Sequence, residues 1–169
     1  MQKFQLAATP LTRDAFRPYG DVVETEGAEH FQTNAGYAER FHDLARIDCS
    51  AEGGRPLLSI FRAKPFPLPL RVELLERHPI SSQAFVPMGR AAFLIVVAER
   101  STKPEPADLR VFVANGRQGI NYRPGTWHHP LIAFTAADFL VVDRNGPGEG
   151  HNQDYDEVRF AGYEIVVDT

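Results

Sequence analysis

Residues 91–98, Ala-Ala-Phe-Leu-Ile-Val-Val-Ala, form the longest apolar run of the chain. A run of this length is far too short to cross a bilayer, and it suits a buried strand. Prolines are spread over the whole sequence and leave little room for long helices. The run therefore indicates a core that is built from strands.

Short strands between turn signals continue this pattern on both sides of the run. Asn115-Gly116 is a strong turn signal, and Thr12 can cap a short helix over residues 13–16 that is closed by Gly20. Many short strands separated by turns are typical of an all-β barrel or sandwich. Strands are predicted over residues 57–63, 71–78, 83–86, 91–98, 109–113, 131–134, 139–143 and 163–167.

The size and composition of the chain exclude several classes of function. The 169 residues fit one domain, over residues 1–169, with a sizeable core, and the 43% apolar share is that of a soluble protein. A net charge of -4 gives no basic footprint for nucleic acid or an anionic membrane. Residues 1–10 do not resemble a signal peptide, and the single Cys49 excludes an internal disulfide. We expect a cytoplasmic protein without nucleic-acid or membrane partners.

A Pro-Gly turn at residues 124–125 leads directly into Trp127, His128 and His129. The turn reverses the chain, so that the two histidines lie where a new strand begins. Imidazole can ligate a metal or move a proton near neutral pH. Because neighbouring side chains on a strand point to opposite sides, only one histidine is expected to enter a cavity, and we predict His128. The alternative for either histidine is a hydrogen-bonded structural role.

A carboxylate and an imidazole share one face of the strand predicted over residues 71–78. Strand alternation places Glu76 and His78 on the same side, and after a turn Gln83 can face the same cavity. Such polar groups are expensive to bury unless they are paired or used. Together with His128 they form a possible nitrogen and oxygen ligand set for a divalent metal. The alternative is that Glu76 pairs with an arginine at the surface and that His78 caps the strand.

Two arginines and an aspartate are further candidates for binding or proton transfer. Arg62 shares a strand face with the apolar Leu58 and Ile60, which predicts that it points inward and grips a carboxylate with its planar fork. An outer salt bridge at the strand end is the alternative. Asp143 ends a buried strand and can act as a general base or as the partner of an arginine. Arg40 belongs to a charged aromatic segment that could form a lid or an interface.

Six stretches of the chain together resemble the bacterial ureidoglycolate lyases, formerly called ureidoglycolate hydrolases, of allantoin degradation. Each stretch alone is weak, but in order they cover nearly the whole chain. The stretches are residues 39–45, 76–79, 83–88, 115–122, 127–131 and 138–144.

The resemblance implies a cupin-like double-stranded β-helix barrel with short helical segments and a homodimeric assembly. The usual cupin signature has His-x-His and a following Glu, and then a Pro-x-Gly turn before a last His. In this chain Glu76 stands at the first His position and Gln83 stands near the Glu position, while His78 and His128 keep the other two. The family is associated with nickel, and an acid and an amide at these positions would bind a metal more weakly or differently. No Gly-rich phosphate loop is present, and no organic cofactor is expected.

The resemblance further implies cleavage of (S)-ureidoglycolate to glyoxylate and urea. His128 or His78 would then be the base, either directly or through a bound metal, and Arg62 would hold the substrate carboxylate. Glu76 and Gln83 would orient the metal or bind the ureido group. Three further residues are candidates: Asp143 and Tyr122 for proton transfer, and Arg40 for substrate binding.

Two other functions stay open on the sequence. An amidohydrolase acting on the same substrate would release ammonia instead of urea, although the usual hydrolytic metal motifs are missing. A non-catalytic cupin would bind a small carboxylic acid without turning it over, although no helix-turn-helix segment accompanies the predicted barrel.

Overall fold

The computed structural model describes residues 1–101, 103–148 and 154–168, and strands dominate these residues. The all-β prediction is confirmed. The strands are β1 (Gln2–Ala7), β2 (Thr9–Pro10), β3 (Gly20–Val23), β4 (His30–Thr33), β5 (Ala38–Phe41), β6 (Arg55–Ala63), β7 (Leu70–Arg71), β8 (Leu74–Arg77), β9 (Gln83–Pro87), β10 (Ala92–Ala98), β11 (Arg110–Asn115), β12 (Gly119–Tyr122), β13 (Trp127–His128), β14 (Ile132–Ala133), β15 (Ala137–Asn145), β16 (Asp156–Arg159) and β17 (Tyr163–Asp168).

Two sheets face each other across the core and give the cupin-like arrangement. Sheet I has the order β16-β8-β13-β10-β11-β2, with β14 also paired to β10, and sheet II has the order β3-β12-β9-β15-β6. Sheet III, β1-β17-β7, packs on the outer side of sheet I, and β4 and β5 form a separate hairpin.

Strand β10 is buried on both faces. Its residues Phe93 and Ile95 pack between sheets I and II in a cluster that includes Phe139 of β15. The alternate residues Leu94 and Val96 pack in a second cluster with side chains of sheet III. An apolar residue is therefore needed at every position, which explains the unbroken run over residues 91–98.

The predicted short helix is confirmed. Helix α1 spans Arg13–Phe16, and the Thr12 hydroxyl accepts a hydrogen bond from the backbone N–H of Ala15 at 3.2 Å. Phe16 is fully buried and meets the Phe112 ring edge-on, with 5.6 Å between the centroids. The other helical segments are single 3-10 turns at Asn34–Gly36, Ala51–Gly53 and Pro106–Asp108. In the described part of the chain, no helix has the length and apolar character needed to cross a membrane.

The single strand predicted over residues 71–78 is wrong. The chain forms β7 and β8 instead, and β7 pairs with β17 of sheet III while β8 pairs with β13 and β16 of sheet I. A break between the two strands lets the chain pass from the outer layer to the inner one. The regular alternation of the sequence conceals that change of layer.

The inward orientation predicted for Arg62 is also wrong. Strand β6 lies at the edge of sheet II, and on its open face Leu58 and Ile60 are 69% and 57% exposed. Arg62 lies on the same open face, where its Nε and Nη2 donate to the two carboxylate oxygens of Asp138 at 3.0 and 3.1 Å. The alternative reading, an outer salt bridge, is the one that the structure shows.

Candidate functional site

Three potential metal ligands converge between the two facing sheets. One ligand atom from each of Glu76, His78 and His128 lies within 4.8 Å of the others. We call these three residues the His–Glu cluster. Glu76 of β8 is directly opposite His128 of β13 in the ladder, and His78 follows β8 immediately. The pairing of two neighbouring strands thus brings together Glu76 and His128, which are 52 positions apart in the sequence.

The outer nitrogens of both histidines are fixed by backbone carbonyls. His78 Nδ1 lies 2.7 Å from the Asp154 carbonyl oxygen, and His128 Nδ1 lies 3.0 Å from the Thr126 carbonyl oxygen. Because a carbonyl can only accept, each Nδ1 carries a hydrogen and donates it. In the neutral imidazoles each Nε2 therefore presents a lone pair to the interior of the cluster.

Gln83 extends the cluster from sheet II. Its Oε1 lies 3.2 Å from His78 Nε2, and its Nε2 donates to Asp143 Oδ2 at 3.3 Å. The oxygen and the imidazole lone pair are both acceptors, and turning the amide would instead set its oxygen against the Asp143 carboxylate. A cation that both atoms bind would account for this contact.

His128 Nε2 gives a second sign of a cation site. This atom is buried and has no hydrogen-bond partner among the described residues, and Glu76 Oε1 lies 3.5 Å away. Two imidazole nitrogens, a carboxylate and an amide oxygen suit a divalent transition metal. The carbonyls behind both imidazoles are the usual supports of metal-bound histidines. The residues present therefore fit a metal.

The carboxyl group of Glu76 is held in its ionised form. Burial alone would raise its pKa, but the imidazole of His128 close by, with His78 and His129 behind it, lowers the pKa overall. The side chain of Glu76 is 19% exposed, whereas that of His128 is 1% exposed. Glu76 is thus the member of the cluster that is most exposed to solvent.

Tyr122 lies on the opposite side of His128. Its ring stacks on the imidazole with 4.2 Å between the centroids and 12° between the planes. Burial raises the pKa of Tyr122, so that its hydroxyl stays protonated at neutral pH. This placement suits a platform that holds the imidazole, and it does not suit a base.

Two residues of the C-terminal segment lie beside the cluster and were missed in the sequence. Asp154 binds His78 through its carbonyl, and the Tyr155 ring lies 6.3 Å from the His78 ring. The Tyr155 hydroxyl donates to Glu157 at 2.8 Å, and its pKa is raised by partial burial, by that hydrogen bond and by Glu76 nearby. No motif marks these residues, although the alternation of Tyr155, Glu157 and Arg159 could have indicated the strand.

His129 points away from the cluster, as the alternation of side chains predicted. Its ring meets the Phe66 ring edge-on at 5.7 Å, and burial lowers its pKa. Arg40 is exposed on the β4–β5 hairpin with its guanidinium 5.8 Å from the centroid of the Phe31 ring. The contacts described for Arg40 and Arg62 therefore lie outside the His–Glu cluster.

Arg62→Ala tests whether this arginine holds substrate. For the ureidoglycolate cleavage that the resemblance implies, we expect kcat/KM to change by less than about threefold, because an exposed ion pair of this kind contributes little by itself. Steady-state kinetics alongside Asp138→Ala, which removes the other half of the pair, would check this. A loss of 100-fold in Arg62→Ala alone would restore the carboxylate-binding role.

Comparison with known proteins identifies the family of the chain. The sequence model of a family described as ureidoglycolate lyase matches residues 3–168. A ureidoglycolate lyase of Pseudomonas syringae pv. tomato is 50% identical over 153 residues, which is 90% of each chain. Ureidoglycolate lyases of Burkholderia mallei (51% identical over 88% of this chain and 87% of the relative) and Azotobacter vinelandii (50% identical over 85% and 87%) are similarly close. The chain belongs to the ureidoglycolate lyase family.

Proposed function

We propose that this protein cleaves (S)-ureidoglycolate to glyoxylate and urea. The observation that carries the proposal is the convergence of two buried imidazole nitrogens and one carboxylate at a single point between the sheets. Membership of the ureidoglycolate lyase family supports this choice of substrate.

The reaction is an elimination that neither consumes nor releases water. One carbon of the substrate carries a hydroxyl group, a carboxylate and a urea nitrogen. The hydroxyl proton is removed, its oxygen forms the C=O bond of glyoxylate, and the C–N bond breaks as the urea nitrogen takes up a proton. The site must therefore accept one proton, supply one proton and balance the negative charge of the carboxylate.

The His–Glu cluster and Gln83 would hold a divalent metal. When bound, the metal would supply positive charge for the substrate carboxylate and would make the substrate hydroxyl more acidic. Asp143 accepts a hydrogen bond from Gln83 and thereby turns the amide oxygen toward His78. Nickel, the metal associated with the family, is the ion to test first.

Glu76 is our candidate for the group that moves the proton. It is ionised, it is partly exposed to solvent, and the Tyr155 hydroxyl lies close to it. The carboxylate can accept the hydroxyl proton and return it to the departing urea nitrogen. If no metal is bound, Nε2 of His128 or His78 is the other candidate for the base, as the resemblance implies.

A product assay tests the function directly. Purified protein is mixed with racemic ureidoglycolate, and glyoxylate, urea and ammonia are followed against the spontaneous decay of the substrate. Glyoxylate and urea in equal amounts, from half of the racemate, are expected. Release of ammonia would instead indicate an amidohydrolase, and glyoxylate binding without turnover would indicate a non-catalytic cupin.

Removal of the metal separates the two forms of the mechanism. We expect dialysis against a chelator to lower kcat at least 100-fold, and added Ni²⁺ to restore it. Without the metal, the site loses the positive charge that would make the substrate hydroxyl more acidic. Metal content measured on the same samples serves as the control. Full activity in protein shown to be free of metal would rule out the metal-dependent form of the mechanism.

We also propose that the protein is a homodimer that uses the open face of β6. Leu58 and Ile60 are largely exposed there on an edge strand, and unpaired edges with apolar side chains favour association. The double variant Leu58→Asp, Ile60→Asp is expected to be a monomer in light scattering. Leu68→Asp, a change of a half-exposed leucine elsewhere in the chain, serves as the control and is expected to remain dimeric. A dimeric double variant would place the interface elsewhere.

A cytoplasmic location is the remaining part of the proposal. The single cysteine of the chain, Cys49, is buried and free, and it cannot form an internal disulfide. Disulfide bonds are rare in the cytoplasm, where thiols are kept reduced, so that this cysteine content supports the proposed location.

A further inference from the structure

Asp154 joins the C-terminal segment to the turn that follows β8. The residue is buried, and three hydrogen bonds join it to described residues of the segment 78–81. Its Oδ1 accepts from the backbone N–H of Ile80 at 3.0 Å, its Oδ2 accepts from the Ser81 hydroxyl at 2.6 Å, and its carbonyl accepts from His78 Nδ1 at 2.7 Å. The side chain of Asp154 is thus bound to the same segment that contains His78, the residue that the Asp154 carbonyl supports.

We infer that Asp154 is a positioning residue that fixes the tautomer and the ring orientation of His78. Its two side-chain bonds hold its carbonyl at one place, and that carbonyl requires the hydrogen of His78 to be on Nδ1. The lone pair of Nε2 then faces Glu76 and His128. The expected effect on metal binding rests on the proposed function. The expected effect on the tautomer of His78 is independent of that function.

A comparison of the two histidines shows why His78 needs such a residue. The carbonyl that supports His128 belongs to Thr126, two residues earlier on the same stretch of chain. The carbonyl that supports His78 belongs to a residue 76 positions away. The pairing of β16 with β8 brings the two segments side by side. The bonds of the Asp154 carboxylate to the 78–81 turn then fix the position of its carbonyl.

Three variants test the inference. Asp154→Ala removes both side-chain bonds, Asp154→Asn keeps the oxygen that accepts from Ile80, and Asp156→Ala is the matched control. Asp156 lies two residues further on and pairs with Arg77 at the surface. Each protein would be studied by calorimetric titration with Ni²⁺ and by ¹⁵N NMR of the His78 ring, together with an unfolding curve.

We expect Asp154→Ala to weaken Ni²⁺ binding by about 10- to 100-fold, which is the usual effect of losing a group that supports a metal ligand. The His78 ring should then show a mixture of tautomers in the metal-free protein. Asp154→Asn should recover most of the affinity, and Asp156→Ala should stay within about threefold of the parent. A loss of stability alone would change neither the tautomer of His78 nor the order of the three variants in Ni²⁺ affinity.

Two results would overturn the inference. One is a folded Asp154→Ala protein with the parent affinity for Ni²⁺ and a single Nδ1–H tautomer, and the other is an equal loss in Asp156→Ala. If Asp154→Ala does not fold, Asp154→Leu replaces it, because this change removes the same two side-chain bonds but keeps the volume of the side chain. An unchanged tautomer and affinity there would be equally decisive. An absence of lyase activity in the parent would count against the proposed function only, since the tautomer of His78 is measured without substrate.

Discussion

Replacing His128 by alanine is expected to lower kcat/KM for ureidoglycolate by at least 100-fold and to weaken Ni²⁺ binding in parallel. His128 is 1% exposed, and its Nε2 is a buried nitrogen that has no hydrogen-bond partner among the described residues. Its removal takes away a metal ligand or a base, and general acid–base catalysis typically contributes a factor of 10² to 10⁴. Steady-state kinetics and metal titration on the same preparation would measure both effects.

The neighbouring histidine provides the matched control. His129→Ala removes the same side chain one position further on, where it packs against Phe66 away from the cluster. We expect its kcat/KM to fall less than about tenfold. His128→Gln, which keeps much of the volume and should also be inactive, separates lost chemistry from lost packing. Similar activities of His128→Ala and His129→Ala would remove His128 from the site.

Replacing Phe139 by alanine is expected to cost about 3–5 kcal/mol of unfolding free energy, the range for truncating a buried aromatic side chain. Phe139 is fully buried between the two sheets, and its ring meets that of Phe93 edge-on at 5.3 Å. Few neighbours can move into the space, because strands of two sheets surround it. Urea unfolding at pH 7 would measure the change.

Phe61 is the natural control for this substitution. It lies directly opposite Phe139 in the β6–β15 ladder, but it is 41% exposed at the edge of sheet II. Phe61→Ala should cost less than half as much as Phe139→Ala, because less apolar surface leaves the core. Equal losses would show that the Phe61 side chain is covered in solution.

The parts of the fold that follow from local patterns could be predicted from the sequence. The apolar run over residues 91–98 predicted the most buried strand, and Thr12 predicted the start of the helix. The alternation of side chains also predicted that His128, and not His129, would meet Glu76 and His78. In each case neighbouring residues along the chain carry the information.

The parts that failed depend on contacts between distant segments. Leu58 and Ile60 were expected to be buried because they are apolar, but an edge strand can leave such a face open. The 71–78 strand was expected to be continuous, since alternation does not reveal a change of layer. Asp154 was missed because its importance comes from a carbonyl 76 residues away from the histidine that it binds.

Strand β10 is expected to make thermal unfolding cooperative. Because alternate residues of this strand belong to two different hydrophobic clusters, neither cluster can melt while the other stays intact. The inner sheets and the outer layer should therefore lose their structure in one cooperative transition rather than in steps. The amide hydrogens of β10 should exchange with solvent only through that global opening, and hence more slowly than those of the exposed β4–β5 hairpin.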